Sequence, residues 1–418
     1  MRALIVGNTD RDGRGGPAEG KPLIVGGLSL VERAVLAAAR AGVGRSVAVG
    51  IPDVNGLMAA RLRRRGARVT FADWDEVQEL DLSGTALLMR SDVLVEPRAL
   101  KTLLDRFRAS DRETVYRAGG DDDDPDVAVV PSGSRGLGGV TSGTELVRRL
   151  IRTAPLRDVS LTPYFCRRVE AASDIAQAET DYIRSQNGRE SFFTKKIRRF
   201  SVPLTRVLVR RGVSPNLVTL IGLLLAVGSA FAVSRGSYFW SLGGALLYYA
   251  SMILDCSDGE VARLSFRDSR FGAWFETAVD YVTYFLLLGA LVLGTQQRPG
   301  ADVYLSAAAL AFAGSLIVVA VAGFLRQRVS GDDPGQFDDA SAAVLRSSTR
   351  FHRFARWGRQ WIKRSTVAHL VVALALVNQL PILIYLWAFG AIVASVVIVG
   401  VEPFIVRRVK VAAPLGRS

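Results

Sequence analysis

Cysteine and histidine are scarce in this chain of 418 residues, which contains two of each. The two cysteines, Cys166 and Cys256, are far apart, and neither belongs to a CxxC pair or to a His/Cys cluster. Disulfide frameworks and zinc sites need such spacings, so the sequence predicts neither. The N-terminus also lacks an apolar run long enough for a signal peptide, and residues 2–7 are expected to form a first β-strand.

Apolar residues and positive charge are abundant instead. Hydrophobic residues make up 49% of the sequence and are concentrated after residue 215, while the formal net charge is +14. An excess of Lys and Arg is typical of proteins that face nucleic acid or anionic lipid. Here the basic residues lie beside apolar segments and do not alternate with aromatic residues. We therefore expect a lipid bilayer as partner, and no nucleic acid.

Six apolar stretches follow residue 215, and most approach the length of about 20 residues that a helix needs to cross a bilayer. They are 216–234, 237–254, 277–295, 303–325, 366–380 and 382–406. Lys and Arg are concentrated in 195–211, in 326–364 and in the C-terminal tail, as is typical of cytoplasmic segments. The pattern predicts a multi-pass protein of the cell inner (plasma) membrane with both termini in the cytoplasm.

A basic segment, residues 186–213, joins the N-terminal half to the first apolar stretch. Apolar residues such as Phe193, Ile197 and Leu204 recur among its Lys and Arg residues. This pattern predicts an amphipathic linker helix lying in the membrane interface, which Pro203 could kink. An ordinary positively charged stop before the first span is the alternative.

Four carboxylates lie between the second apolar stretch and the third. Asp255 and Asp258 are three residues apart, and Glu276 and Asp280 are four apart, so each pair shares one helix face. Carboxylates are costly beside hydrocarbon unless they pair with cations. Two such faces packed together predict an all-oxygen site for two Mg²⁺ or Mn²⁺ ions that hold a diphosphate. Solvated helix ends and an ion-coupled transporter are the alternatives.

Small residues and one arginine accompany these acids at fixed spacing. They are Gly259, Ala262, Arg263 and Gly272. The small residues let a nucleotide approach the helix backbone, and Arg263 can pair with phosphate or with a carboxylate. With the four acids they resemble the signature of the CDP-alcohol phosphotransferase family, which has its third aspartate where this chain has Glu276. Residues 213–219 also resemble that family's entry to its first span.

The resemblance implies a six-helix membrane domain over 214–410, in which an acceptor hydroxyl displaces CMP from a CDP-alcohol. By position, Asp255, Asp258 and Glu276 would bind metal, and Asp280 would bind the second metal or act as general base. The residues implied to contact the CDP portion are Gly259, Ala262, Arg263 and Gly272. Homodimers are common in that family. Because Glu276 is longer than aspartate by a methylene, a degenerate site is the alternative to an active one.

Residues 1–185 are predicted to form a cytoplasmic α/β domain. The expected strands are 2–7, 46–50, 68–71, 85–89 and 126–130. Ser29 and Glu32 form a capping-box pattern that opens a helix to about Ala41. Strands that alternate with helices favour a mainly parallel sheet. The acidic run 121–124 is expected to be a solvated loop, because it lacks the spacing of a calcium site.

Two segments of this domain resemble the sugar-nucleotidyltransferase family: residues 21–33 and residues 89–97. That resemblance implies that Lys21 contacts phosphate and that Asp92 binds Mg²⁺. The loop 7–16 departs from the family's glycine-rich pattern because it carries Asp10 and Asp12. An inactive relic and an active cytidylyltransferase are therefore both compatible with the sequence.

The order of the two domains resembles bifunctional enzymes that join an inositol-phosphate cytidylyltransferase to a di-inositol-phosphate phosphate synthase. In that arrangement the first domain makes a CDP-polyol and the second consumes it. The alternative to an enzyme is a non-catalytic membrane protein whose N-terminal domain senses a nucleotide. The acceptor could be inositol phosphate, glycerol phosphate or a lipid hydroxyl.

Overall fold

The chain divides into two compact units in the computed structural model. The first comprises Met1–Arg189, Leu208–Gly212 and Leu264–Phe266, and the second comprises the remaining residues. The structure describes residues 1–7, 23–53, 56–79, 84–110, 113–120, 124–132, 140, 142–186, 191–330 and 364–396. Predictions for Lys21, for the loop beyond Gly7, for most of the basic segment 326–364 and for the C-terminal tail lie outside these residues.

A seven-stranded sheet forms the centre of the first unit, in the order β10-β8-β9-β6-β1-β4-β5. Its strands are β1 (Arg2–Val6), β4 (Ser46–Val49), β5 (Val69–Ala72), β6 (Ala86–Arg90), β8 (Val115–Ala118), β9 (Val127–Val130) and β10 (Leu156–Asp158). Two antiparallel pairs lie beside it: β2 (Ile24–Val25) with β3 (Leu28–Ser29), and β7 (Val93–Val95) with β11 (Cys166–Arg168).

The prediction of a mainly parallel sheet is confirmed. β1 runs parallel to β4 on one side and to β6 on the other, and only β9 runs antiparallel to its neighbours in the seven-stranded sheet. Residues Ala3 to Val6 are completely buried, as expected for a central strand that is covered on both faces. All five predicted strands are present, with ends that differ by one residue at most positions.

Five α-helices accompany the sheet among the described residues of the first unit. They are α1 (Leu30–Arg40), α2 (Leu57–Arg64), α3 (Pro97–Arg108), α4 (Gly143–Ile151) and α5 (Ile175–Gln186). The predicted capping box is confirmed: Ser29 Oγ accepts from the Glu32 amide at 3.2 Å, and Glu32 Oε2 accepts from the Ser29 amide at 2.9 Å. Each partner satisfies a backbone donor that the first helical turn leaves open.

The second unit is helical throughout its described residues. Its helices are α6 (Phe192–Arg210), α7 (Pro215–Ser234), α8 (Tyr238–Leu264), α9 (Arg270–Gln296), α10 (Leu305–Ser330), α11 (Arg364–Leu376) and α12 (Ile382–Val396). The last residues of α6 and α8 belong to the segments Leu208–Gly212 and Leu264–Phe266, which are counted with the first unit. Each of the six predicted apolar stretches coincides with one of the helices α7 to α12.

Three segments of the described chain are long and apolar enough to cross a membrane: Pro215–Ser234, Arg270–Gln296 and Ala301–Val321. α11 and α12 are apolar but shorter, so the predicted count of six crossings is not confirmed. Large apolar side chains remain exposed on the helices of the second unit, including Phe239 on α8 at 82% and Leu293 on α9 at 62%. Apolar surface of this kind is suited to lipid contact.

Close backbone approach holds α7, α8 and α9 together. A Cβ added to Gly294 on α9 would lie 2.2 Å from the carbonyl oxygen of Val233 on α7. A Cβ added to Gly244 on α8 would lie 2.9 Å from the carbonyl oxygen of Ser229, whose hydroxyl donates to the Gly244 carbonyl. Small residues at such crossings let membrane helices pack closely.

α6 has one buried face and one exposed face, as its sequence predicts. Ile197, Ser201 and Thr205 are completely buried, whereas Phe192 and Phe200 are more than half exposed. The helix continues through Pro203. Its placement in the membrane interface stays a prediction.

Candidate active site

The four predicted acids lie on two helices of the second unit. Asp255 and Asp258 are in the C-terminal part of α8, and Glu276 and Asp280 are in the first three turns of α9. Most of the segment that joins the second apolar stretch to the third is thus helical, and only residues 265–269 separate the two helices. The helical spacing therefore gives each pair a common face, as predicted.

Asp255 and Asp280 are brought together across the two helices by one cation. Nη1 of Arg364, at the start of α11, lies 2.8 Å from Asp255 Oδ1 and also bonds to Asp280 Oδ1. The Arg364 side chain is 16% exposed, and its guanidinium carbon lies 5.6 Å from the centre of the Tyr284 ring. Two carboxylates from different helices thus share a single guanidinium nitrogen.

Asp258 is more deeply placed and is held by uncharged donors. Its residue is 2% exposed. Thr219 Oγ1 on α7 donates to Asp258 Oδ2 at 2.6 Å, and the Gly259 amide donates to Oδ1 at 2.6 Å. Buried carboxylates need such donors because an unpaired charge away from water is costly. α7 therefore contributes to the orientation of the second signature aspartate.

Glu276 is half-buried and lies within electrostatic range of Asp255 and Asp258. It is also within range of Arg263, the basic residue of the signature, and of Arg364. The four acids therefore border one region of the second unit, with an arginine from α8 and another from α11 beside them.

The two signature glycines are in close contact with neighbouring side chains. A Cβ on Gly259 would lie 3.1 Å from Nη1 of Arg263, so the arginine lies over the glycine backbone. A Cβ on Gly272 would lie 3.1 Å from Ser269 Oγ and 3.3 Å from Asn216 Oδ1. Ser269 also caps α9 by accepting from the Gly272 amide at 3.0 Å. Larger residues at Gly259 or Gly272 would displace these neighbours. Ala262, which lies between the two glycines in the sequence, is half-buried.

Glu260 is a further acid of this segment that the sequence analysis did not single out. Its carboxylate is fully buried and accepts from three α6 side chains: Arg198, Ser201 Oγ at 3.0 Å and Thr205 Oγ1 at 2.6 Å. The three donors are spaced three and four residues apart, so they share one face of α6. The spacing of these polar residues on the amphipathic helix α6 is the feature of the sequence from which a polar partner could have been predicted.

The donor chemistry of the four acids suits a hard divalent cation, which prefers carboxylate oxygens. In the structure, Arg364 lies between two of these acids, Asp255 and Asp280. Within the described ranges, no group of three or more Asp, Glu, His or Cys residues is arranged to hold a metal ion. The cation that Asp255 and Asp280 bind in the structure is the guanidinium of Arg364.

Asp92, the predicted Mg²⁺ ligand of the first unit, also lies among arginines. It follows β6 at the carboxyl edge of the parallel strands, where open α/β sheets bind ligands. Asp92 Oδ1 is 3.5 Å from Arg90 Nε, and Arg90 Nη1 is 2.7 Å from Asp124 Oδ1. Arg168 bridges Asp124 at 3.2 Å and Asp126 at 3.0 Å.

These contacts correct one prediction from the sequence. Asp124 is not part of a merely solvated loop, because two arginines bind its carboxylate and its side chain is 19% exposed. Burial raises the pKa of the neighbouring Asp126 above its ordinary value, although Arg168 opposes that shift. The edge of the sheet is therefore a network of three acids and two arginines.

The start of α4 closes the same edge of the sheet. A Cβ on Gly143 would lie 2.1 Å from the carbonyl oxygen of Gly7, so only glycine fits between α4 and the end of β1. Thr144 Oγ1 accepts from Arg90 Nη1 at 3.4 Å. The helix N-terminus thus lies directly beside the first residue of the predicted phosphate loop.

Comparison with known proteins gives matches for both halves of the chain. Residues 212–343 match the family model described as CDP-alcohol phosphatidyltransferase. A bifunctional IPC transferase and DIPP synthase of Aquifex aeolicus is 31% identical over 148 residues, which are 34% of this chain and 33% of that protein. A phosphatidylinositol phosphate synthase of Streptomyces avermitilis is 34% identical over 104 residues, 25% of this chain and 40% of that protein.

A solved structure, the inositol-1-phosphate CTP transferase from T. maritima, matches with a TM-score of 0.32 and 14% identity. The match covers 46% of this chain and 98% of that one. Among the curated relatives, the chain spans 33% of the Aquifex protein's length and 40% of the Streptomyces protein's. The resemblance predicted from the signature is confirmed, since residues 212–343, which contain the four acids, match the model of the CDP-alcohol phosphatidyltransferase family.

Proposed function

We propose that this chain is an integral membrane transferase that moves a phosphoalcohol from a CDP-alcohol to a hydroxyl acceptor and releases CMP. The observation that carries the proposal is the convergence of Asp255 and Asp280, two acids of the matched region, from two helices on one cation. A transferring diphosphate needs positive charge beside oxygen ligands, and this region supplies both. Solvated helix ends would not account for acids that share a buried partner.

Asp280 is the proposed general base. In the reaction the acceptor oxygen bonds to the phosphorus that carries the alcohol, the bond from that phosphorus to the oxygen of CMP breaks, and CMP leaves with the electron pair. The acceptor's proton passes to a carboxylate oxygen of Asp280. In the structure that carboxylate is fixed by Arg364, so its orientation is set before substrate binds.

A divalent ion is part of the proposal. Asp255, Asp258, Glu276 and Asp280 are the residues that would hold Mg²⁺ or Mn²⁺, which would neutralise charge on the diphosphate. Thr219 and the Gly259 amide keep Asp258 oriented. Glu276 can serve as an oxygen ligand in place of the family's aspartate, because either side chain presents a carboxylate.

The CDP portion is proposed to lie along the small residues of the signature. Gly259, Ala262 and Gly272 have at most a methyl side chain, so a ligand can come close to the helix backbone at these positions. Arg263 lies over Gly259 and is within reach of any phosphate that approaches it. Binding there would place the nucleotide beside Glu276, which is in electrostatic range of the same arginine.

The names of the relatives suggest the acceptor class. Phosphatidylinositol phosphate synthase and archaetidylinositol phosphate synthase, two of the relatives, are both named for an inositol-phosphate product. An inositol phosphate is therefore the first acceptor to assay, with glycerol phosphate and a lipid hydroxyl as the others. The membrane placement that we propose has both termini in the cytoplasm, and a homodimer is the proposed assembly.

The first unit is proposed to supply the donor. The bifunctional relatives and the α/β sheet favour a cytidylyltransferase that makes the CDP-alcohol from CTP, with Lys21 and Asp92 at its site. A domain that senses nucleotide without turnover is the alternative. The arginines beside Asp92 favour that alternative, because they occupy the surroundings in which a catalytic Mg²⁺ would bind.

The transferase is tested by CMP release from CDP-alcohols with and without Mg²⁺. Asp258→Asn and Asp280→Asn should abolish release while the purified variants still fold. Wild-type turnover in both variants would end the proposal. Mass spectrometry of products from CTP and a panel of polyol phosphates tests the first unit, with Asp92→Asn as its inactive control. CTP binding without a CDP product would identify a sensor.

A further inference from the structure

We propose that Arg364 is a positioning residue that competes with the divalent cation for the carboxylates of Asp255 and Asp280. This inference rests on the proposed function, in which the signature acids receive that cation. Arg364 would hold α8 and α9 in register while the site is empty of metal. Metal binding would require its guanidinium to leave.

The geometry makes the two cations exclusive. Arg364 Nη1 lies 2.8 Å from Asp255 Oδ1 and is bonded to Asp280 Oδ1 as well. A divalent ion would be held by the same carboxylate oxygens of Asp255 and Asp280. It would therefore take the space that this nitrogen occupies, and the two positive charges would repel each other strongly at that separation.

The electrostatics explain why a cation is needed there at all. Asp255 and Glu276 lie in electrostatic range of each other and of both Asp258 and Asp280, and Arg364 bonds to Asp255 and Asp280. Uncompensated carboxylates so close together and away from water would repel. Arginine is a permanent counter-ion because its guanidinium does not deprotonate in proteins.

The backbone beside Arg364 is fixed, so the side chain alone would move. Ser365 is 6% exposed, and its hydroxyl is 2.9 Å from Thr194 Oγ1 on α6. His369 Nδ1 lies 2.7 Å from the Ser365 carbonyl oxygen, and its Nε2 lies 3.2 Å from the Tyr249 hydroxyl on α8. The first turn of α11 is thus attached to two neighbouring helices.

The guanidinium itself is incompletely satisfied. Arg364 Nε is buried without a hydrogen-bond acceptor among the residues that the structure describes. A buried donor left unpaired weakens the net stability of the contact. The long side chain can therefore exchange these contacts for others when a stronger cation arrives.

The test measures metal binding directly. The full chain, purified in detergent and stripped with EDTA, is titrated with MnCl₂ while free Mn²⁺ is followed by electron paramagnetic resonance. Arg364→Gln should bind Mn²⁺ at least about tenfold more tightly than wild type, because the competing charge-assisted contacts are gone. Arg364→Lys keeps the positive charge but loses the planar guanidinium, so its affinity for Mn²⁺ should lie between those of wild type and Arg364→Gln.

Arg298→Gln is the matched control. Arg298 donates from Nη1 to the Asn378 carbonyl at 3.1 Å and from Nη2 to Asn378 Oδ1 at 2.7 Å, so it also ties two segments of the second unit. It bonds to none of the signature acids through these contacts. Its variant should bind Mn²⁺ with wild-type affinity, which separates loss of a structural arginine from loss of the competitor.

Thermal midpoints supply the second readout. Wild type should change little between EDTA and Mn²⁺, whereas Arg364→Gln should depend on Mn²⁺ for its stability. If Arg364→Gln does not fold without metal, wild type and Arg364→Lys are compared, and tighter binding by the lysine variant is expected. Equal or weaker binding by the variants overturns the inference. Absence of Mn²⁺ binding by wild type and variants alike overturns the proposed metal site instead.

Discussion

Thr205 on α6 donates a 2.6 Å hydrogen bond to the fully buried carboxylate of Glu260 on α8. Ser201 and Arg198 complete the set of donors to the same carboxylate. Glu260 lies two residues after Asp258, so the contact attaches the linker helix directly to the acidic segment. α6 is therefore fixed against α8 by polar contacts as well as by its apolar face.

Glu260→Ala should strongly destabilise the second unit. The change leaves the Arg198 guanidinium, which is 17% exposed, without its carboxylate and leaves two hydroxyls without their acceptor. Removing one partner of a buried ion pair costs about 3–5 kcal/mol. Thermal unfolding of the purified protein in detergent would show a large fall in the midpoint. Glu260→Gln keeps an acceptor oxygen, so its thermal midpoint should fall less than that of Glu260→Ala.

Glu145→Ala is the control for this measurement. Glu145 and Arg149 form an exposed i,i+4 pair on α4 with side chains that are 33% and 40% exposed. Such surface pairs contribute about 0–1 kcal/mol. Midpoints that fall equally for Glu260→Ala and Glu145→Ala would contradict the role assigned to the buried carboxylate.

Thr219→Val should slow CMP release while leaving the fold intact. The valine is close in shape to threonine but removes the 2.6 Å hydrogen bond to Asp258 Oδ2. Losing a group that orients a ligating side chain typically costs about 10–100-fold in activity or metal affinity. Steady-state CMP release at saturating donor is the measurement, together with the Mg²⁺ concentration for half-maximal rate.

Ser229→Ala is the matched comparison on the same helix. Ser229 is fully buried and donates to the Gly244 carbonyl at 2.7 Å, at a distance along α7 from the acids. Its loss removes a buried hydroxyl without touching Asp258. If Thr219→Val and Ser229→Ala released CMP at the same rate, the hydroxyl of Thr219 would have no part in orienting the aspartate.

Local patterns in the sequence were sufficient for much of the fold. The Ser29–Glu32 capping box, the apolar strands and the helical spacing of the four acids are all short-range features, and each is present in the structure. Several short strands were missed, and two of them, Val93–Val95 and Cys166–Arg168, are three residues long. They pair with each other across the chain, so no local periodicity indicates them.

Contacts between residues far apart in the sequence could not be predicted either, because local patterns do not indicate which distant residues meet. Arg364 contacts Asp255 across 109 residues of sequence, and before the structure it was one of nine basic residues in the segment 326–364. Nothing in its neighbourhood distinguishes it from the others. The family signature names the acids but not the cation between them, because that contact depends on how α11 packs.

Gly143→Ala should disturb the carboxyl edge of the sheet in the first unit. The added methyl would lie 2.1 Å from the Gly7 carbonyl oxygen, so either α4 or the end of β1 must shift. Overpacking of this kind costs about 1–3 kcal/mol. Hydrogen exchange followed by mass spectrometry should show faster exchange in peptides that cover β1 and β6.

Gly44→Ala provides the comparison for that prediction. A Cβ at Gly44 meets nothing within 4 Å, and its backbone conformation is one that alanine can adopt. Exchange in β1 and β6 should therefore remain at the wild-type rate or slow slightly. Unchanged protection of β1 in Gly143→Ala would show that the edge accommodates the methyl.

The thiol of Cys166 should react with an unusual dependence on pH. Burial, reinforced by the negative charge of Asp126, raises the pKa of this thiol to about 12. Only the thiolate is nucleophilic, so at pH 8 roughly one molecule in ten thousand is reactive, against about a quarter for an ordinary cysteine. In a Cys256→Ser background, the rate of iodoacetamide labelling should rise about tenfold per pH unit from pH 7 to pH 10.

The same protein unfolded in denaturant should instead reach a plateau above about pH 9, because its thiol has the ordinary pKa. Asp126→Asn removes the neighbouring negative charge, lowers the pKa of the thiol and should speed labelling of the folded protein at pH 8. A native labelling rate that levels off near pH 9 would mean that Cys166 is open to water. The side chain could then not share a desolvated site with Asp126, whose own raised pKa comes from burial in the same place.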